Sequence, residues 1–186
     1  MLLFTIPYGS SVYGLTNPKS DKDLVSIYSD LNYVQSEEEN SYSFKEFNRL
    51  LQLHDLMALE CYFYSKDVQE AFDFELNLHQ LRKAVSAVVS NSHVKAKKKF
   101  KDEEIYIGLK SYFHCIRNLT MYTYLARHGT FDPSSFKNEL EYVYQDIVIQ
   151  RQLQANSETL FKELETDYKK FLKSLQHCFR MYCPKV

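Results

Sequence analysis

The chain opens on a strand-like apolar block and then shifts to a helical period. Leu2-Leu3-Phe4-Thr5-Ile6 is apolar and partly β-branched and is closed by Pro7 and Gly9, which predicts a buried strand ending in a turn. Asp21 to Tyr28 (DKDLVSIY) predicts a second strand, and Asp30-Leu31-Asn32-Tyr33-Val34-Gln35 completes or borders a small sheet. Glu37-Glu38-Glu39-Asn40 reads as a polar loop leading to Ser41-Tyr42-Ser43, which can cap a helix over residues 43–53. A second short helix is expected over Asp55 to Tyr64.

Residues 67–92 place Phe72, Leu76, Leu78, Leu81, Val85 and Val88 at broadly helical spacing, with a break expected near Asn91. A longer helix follows over residues 103–127. His128-Gly129 ends it, a cationic last turn followed by a left-handed cap. Asp132-Pro133 starts another helix with proline in its first turn. Asn156-Ser157-Glu158 suggests a cap for a last helix, whose stripe Leu160, Phe161, Leu164, Tyr168, Phe171, Leu172 and Leu175 is either core or a homodimer seam. The expected fold class is therefore α+β, a small N-terminal sheet followed by a mainly helical C-terminal region.

Composition sharpens this picture. Fifteen tyrosines and thirteen phenylalanines against four glycines and four prolines suit helices packed through large side chains. At 186 residues the chain can bury a substantial core, and no repeat or low-complexity linker divides it into independent modules. The formal net charge of −1 argues against wholesale coating of nucleic acid. The opening apolar stretch is short and lacks the basic flank of a signal peptide, and no run approaches a membrane span, so a cytoplasmic protein is expected. Cys61, Cys115, Cys178 and Cys183 form no close pair and read as reduced, mostly buried thiols.

The chemistry lies at the two ends of the predicted strands. Two of the four glycines fall in Gly9-Ser10-Ser11-Val12-Tyr13-Gly14, where glycine lets the backbone approach a ligand and turn its N–H groups toward an anion. Ten residues after Ser10 comes Ser20-Asp21-Lys22-Asp23-Leu24. Strand alternation puts Asp21 and Asp23 on one face, and two carboxylates there suit Mg²⁺, which takes one or two carboxylates plus substrate phosphates. On the 103–127 helix, Lys110, His114 and Arg117 are four and three apart and share one face, a stripe that an anion would stabilise. Lys95-Ala96-Lys97-Lys98-Lys99-Phe100-Lys101 is a second basic feature, read either as a solvated run or as a mobile segment able to recruit an acidic acceptor or RNA.

The string GSSVYGLTNPKSDKDLVSIY, with its G-S-x-x-Y-G and S-D-x-D elements after an apolar strand, resembles the polymerase β-type nucleotidyltransferase superfamily, and within it the minimal "predicted nucleotidyltransferase" branch of bacteria and their viruses. Lys22 stands where many members carry an apolar residue. Weaker likeness continues through Tyr42 to Leu51, Ala58 to Phe63 and the K-x-x-x-H-x-x-R pattern of Lys110 to Arg117, covering roughly residues 1–130.

The resemblance implies a minimal nucleotidyltransferase core over residues 1–66, with residues 67–186 as a helical region packed on it and carrying the basic helix 103–128. It also implies transfer of a nucleoside monophosphate from a triphosphate to an acceptor hydroxyl on protein, RNA or a small molecule, with release of pyrophosphate. Asp21 and Asp23 would hold Mg²⁺ or Mn²⁺. Gly9, Ser10, Ser11 and Tyr13 would hold the nucleotide, and Lys110 and Arg117 would neutralise its phosphates. His114 would assist the phosphates or carry a proton. A third carboxylate is expected at Glu39, with Glu60 as the alternative and otherwise a support for the basic face. Two other readings stand beside the enzyme: a nucleotide-binding regulator without turnover, and a structural interaction protein.

Overall fold

The computed structural model describes residues 1–13, 15, 23–29, 34–35, 39–151 and 157–185, with backbone alone for residues 11, 34–35, 39, 157–161, 164–165 and 167–168. The fold is α+β. Strands β1 (Leu2–Pro7), β2 (Leu24–Tyr28), β3 (Val34–Gln35) and β4 (Glu39–Ser43) form one sheet in the order β1-β2-β4-β3. β1 runs antiparallel to β2, with Ile6 opposite Val25 and Phe4 opposite Ile27. β4 runs parallel to β2 on its other side.

Alternation along these strands sends Ile6, Val25 and Ile27 into the core, where each is buried. On the opposite face the Thr5 and Ser26 hydroxyls meet at 3.3 Å. β4 departs from expectation. Residues 39 and 40 belong to a strand rather than to a polar loop, because the edge of β2 offers Leu24 and Val25 as register partners for them.

The helices follow, the first four each started by a side-chain cap. Ser43 Oγ accepts from the Glu46 amide to open α1 (Phe44–Gln52), and Asp55 Oδ1 accepts from Met57 and Ala58 to open α2 (Leu56–Tyr64). Ser65 starts α3 (Lys66–Ala71) and Asn77 starts α4 (Leu78–Lys101). Residues 72–77 leave the helical path, and the Phe72 ring stacks on Phe44 at 4.2 Å between centroids. The expected break near Asn91 is absent. Asn costs a helix interior only a few tenths of a kcal/mol up to about 0.7, and Val85, Val89, Ala96 and Phe100 keep one buried stripe running through it.

The basic run is thus the last two turns of α4 rather than a separate segment. α5 (Ile105–His128) packs along α4 and crosses it closely at Gly108, where a Cβ would stand 3.2 Å from the Phe100 ring. Gly129 ends α5 at φ +74°, its N–H bonded to the Leu125 carbonyl. Asp132-Pro133 opens a 3₁₀ turn (Pro133–Phe136) before α6 (Lys137–Tyr144), which continues as a π-helical stretch (Gln145–Gln150).

The final helix, α7 (Ser157–Tyr182), lies on α4 and α5. Of its predicted stripe, Leu160, Phe161, Leu164 and Tyr168 have side chains outside the described residues; Leu172 is buried and Phe171 is exposed. The Arg82 guanidinium ties this end to α4 by donating to the Cys183 carbonyl. All four thiols are free, and Cys61, Cys115 and Cys183 are buried. Among the described residues no helix is long and apolar enough to cross a membrane.

Candidate functional site

The end of β1 turns back beside the start of β2. Pro7 pairs with Leu24, and the Tyr8 amide bonds to the Asp23 carbonyl at 3.1 Å, so the 3₁₀ turn Gly9–Ser11 is held against the first residue before β2. Gly9 sits at φ +67°, in the left-handed region that favours glycine. A Cβ on it would stand 2.9 Å from Asp23 Oδ2. The glycine is therefore required twice, by backbone conformation and by the closeness of the carboxylate.

Facing this turn are α2 and α5. Tyr8, Gly9, Ser10 and Asp23 from the sheet side and Glu60, Lys110, His114, Arg117 and Asn118 from the helical side line one cavity of about 270 Å³. A smaller recess of about 30 Å³ adjoins it, sharing Ser10, Lys110, His114 and Arg117 and walled by Tyr13, Tyr106 and Tyr144. The Tyr106 and Tyr144 hydroxyls meet at 3.2 Å.

The predicted basic stripe is brought to the predicted turn, but its charge is distributed differently from expectation. Arg117 is not an uncommitted cation. Its Nη2 donates to Glu60 Oε1 at 3.1 Å and to Asn118 Oδ1 at 3.1 Å, and its Cζ lies 5.0 Å from the Tyr13 ring centroid. Burial works to lower the Arg117 pKa, but the Glu60 carboxylate leads the opposing contributions and the guanidinium is held above its ordinary value. Tyr122, also buried, donates to the Leu56 carbonyl at 2.8 Å and reaches Glu60 Oε1 at 3.4 Å. Glu60 therefore supports the basic face, its side chain buried and that of Arg117 largely so, with both at the cavity wall.

His114 is neutral. Burial first, then the charges of Arg117, Lys110 and Lys95, push its pKa from the usual 6.5 down to about 3. A lowered pKa favours the neutral imidazole, which can donate or accept a hydrogen bond in the cavity wall. Lys110 remains exposed and forms no ion pair among the described residues. The stripe thus presents one uncommitted cation rather than three charges seeking an anion.

Two polar residues of the cavity, Tyr8 and Asn118, and Asn40 bonded to Tyr8 were not singled out from the sequence. Tyr8 shares the core-facing side of the sheet with Ile6, and its hydroxyl accepts from Asn40 Nδ2 at 3.0 Å. Burial first and the Asp23 carboxylate second push its pKa up to about 12, so it stays protonated. Asn40 stands at the register position of Val25, on the face from which Asp23 reaches the cavity. Asn118, four residues beyond His114, continues the helical stripe, a spacing legible in Lys110-x-x-x-His114-x-x-x-Asn118.

The Tyr13 ring is fully buried against Arg117; its hydroxyl finds no hydrogen-bond partner of regular geometry among the described residues, while burial and the nearby Glu60 carboxylate raise its pKa. Asp21 lies outside the described residues, as do the side chains of Ser11 and Glu39. Among the described residues no three His, Cys, Asp or Glu side chains converge as a metal cage. What is present fits a cation bound chiefly through its substrate: Asp23 lines the cavity, and the glycine beside it leaves the space a Cβ would fill. No family model, curated protein or solved structure matches the chain.

Proposed function

We propose that the protein is a metal-dependent nucleotidyltransferase, related in its site to the polymerase β-type superfamily. One observation carries the reading: the Gly9-Ser10 turn and Asp23, far from residues 110–117 in sequence, line the same cavity as Lys110, His114 and Arg117. Asp23, with Asp21, would hold Mg²⁺ or Mn²⁺, which supplies positive charge against the triphosphate.

The chain's own residues supply positioning and electrostatics. Main-chain N–H groups of the Gly9-Ser10 turn and the Ser10 hydroxyl face the β and γ phosphates. Lys110 adds the mobile cation at the exposed end of the stripe, and Arg117, fixed by Glu60 and Asn118, presents a rigid guanidinium. Neutral His114 donates or accepts a hydrogen bond without adding charge. In the reaction an acceptor hydroxyl oxygen bonds to the α phosphorus, the bond from that phosphorus to the α–β bridging oxygen breaks, and pyrophosphate leaves with one proton released overall.

The test is pyrophosphate release and label transfer with each α-labelled triphosphate, Mg²⁺ and a cell extract as acceptor source. Activity in the native chain that falls at least about a hundredfold in Asp21→Asn and in Asp23→Asn, about 2.7 kcal/mol of transition-state stabilisation, is the expected result. Metal-independent release, or release indifferent to both substitutions, removes the proposal. A second reading, a nucleotide-binding protein without turnover, is favoured by one fact: Glu60 is committed to Arg117. Saturable triphosphate binding with no label transferred would select it.

A further inference from the structure

α4 carries the strongest charge asymmetry in the molecule. Its 24 residues include Arg82, Lys83 and the five lysines from Lys95 to Lys101 without a single carboxylate, in a chain whose net charge is −1. Because the run is helical, its lysines are arrayed in a fixed pattern. Ala96 and Phe100 take the buried side, which leaves Lys95, Lys97, Lys98 and Lys101 exposed around the remaining arc. Lys99 is spoken for by Glu104; the other four form no ion pair among the described residues.

The same helix runs from this arc to the candidate site. Val88 lines the cavity beside Asp23 and Lys110, and Lys95 is seven residues further on, two turns along one face. The positive charge of Lys95 is felt at His114 in the cavity wall. We propose that the C-terminal half of α4 is a docking track for the phosphate backbone of a single-stranded nucleic acid, whose terminal hydroxyl reaches the cavity as the acceptor. The second clause of this proposal rests on the transferase reading; the docking itself does not.

A phosphate chain fits this surface better than an acidic protein does. Lysines act as point charges on flexible stems, which demand no fixed geometry of the anions they meet and suit contacts to successive phosphates along a chain. Protein interfaces are held by buried aromatic or arginine anchors. Over residues 94–101 the exposed arc has only Val94 as an apolar side chain. Charge alone is what the track offers, and counterion release from a polyanion converts charge into affinity.

The test is fluorescence anisotropy of the full chain with end-labelled 20-nucleotide RNA and DNA strands of mixed sequence, titrated at several salt concentrations. Binding of either strand that weakens linearly on a log–log salt plot is expected. Lys97→Gln/Lys98→Gln/Lys101→Gln should reduce the slope by about 2, at roughly 0.7 per phosphate contact on a single strand, and should weaken binding at least about tenfold at low salt. All three side chains are exposed, and an unchanged melting curve checks the fold.

No strand binding at low salt, an unchanged slope in the triple variant, or competition by polyglutamate equal to that of the strand at matched charge would each overturn the track. Running label transfer beside strand binding on the native chain separates the two proposals: strand binding with no label transfer fails the transferase reading alone, while transfer with no strand binding fails the track alone.

Discussion

The sheet wall of the cavity presents Tyr8, Gly9, Ser10 and Asp23 on a tight turn and a strand end, whereas the helical wall presents Glu60, Lys110, His114, Arg117 and Asn118 from the sides of two packed helices. On the sheet wall, geometry is set by backbone: a positive φ at Gly9, one main-chain bond from Tyr8 to Asp23, and space that any Cβ would close. On the helical wall it is set by buried side-chain pairing, with Glu60 meeting Arg117 and Tyr122. The contrast separates two roles. The helical wall is a scaffold fixed by a buried ion pair, with Lys110 its exposed cation, and the sheet wall holds the Asp23 carboxylate.

The largest effect should come from cutting the scaffold. Arg117→Met leaves the Glu60 carboxylate buried without its counter-charge, which costs about 3–5 kcal/mol. Glu60→Gln should also destabilise, and Glu60→Gln/Arg117→Met should cost clearly less than the sum of the two, because the double change removes both charges together. Urea unfolding of the three variants reads this directly. Simple additivity would mean that the two walls do not differ in the way described.

How much of this was legible in the sequence depends on the kind of spacing involved. Lys110, His114 and Arg117 share a helical face by period alone, and the Gly-Ser turn and Asp23 meet because consecutive strands pair; both followed from local rules. The assignment of charge did not. That Glu60 neutralises Arg117 is a contact across 57 positions, which no local period encodes. The strand at residues 39–43 was hidden because Glu39 and Asn40 are polar, and they join the sheet only because β2 offers them an edge. The lysine run was read as a solvated or mobile segment and not as part of a packed helix because its burial signal, Ala96 and Phe100, is two residues set among five lysines.

Acid should expose the helical wall's neutral imidazole. His114 is held at about 3 when folded against the usual 6.5. Above pH 6.5 neither state binds the proton and the group contributes nothing. Below it the unfolded chain takes the proton first, so stability falls as the pH drops from about 6.5 toward about 3, by at most about 1.4 kcal/mol per pH unit from this group. His54, buried and also held below its ordinary value by burial, adds to the same slope. Urea midpoints at pH 7, 5.5 and 4.5 should converge between the native chain and His114→Gln as the pH falls. Parallel lines would return His114 to an ordinary surface histidine.

On the sheet wall the corresponding change is Gly9→Ala. The left-handed backbone costs about 1–2 kcal/mol for an alanine, and the added Cβ must also displace Asp23 Oδ2 from 2.9 Å. The variant should therefore melt a few degrees lower while losing far more activity than that destabilisation explains. Equal activity at a temperature where both chains are folded would show that Asp23 does not need its observed position.

The smallest structural effect and the sharpest functional one should fall on Lys110. It is exposed and unpaired among the described residues, so Lys110→Ala should change stability by no more than about 0.5 kcal/mol. Its charge is nonetheless the one cation on the Lys110–Arg117 stripe that no described side chain neutralises. Triphosphate binding should weaken about tenfold, the scale of one charge-assisted contact at 1.4 kcal/mol. The loss should shrink with added salt, since an exposed charge is screened. Lys110→Arg should restore most of it, because position and charge matter here more than the shape of the head group. Triphosphate affinity indifferent to Lys110→Ala would mean that the rigid guanidinium of Arg117 alone meets the phosphates, and the division of labour between a fixed scaffold and one mobile cation would fail on that wall.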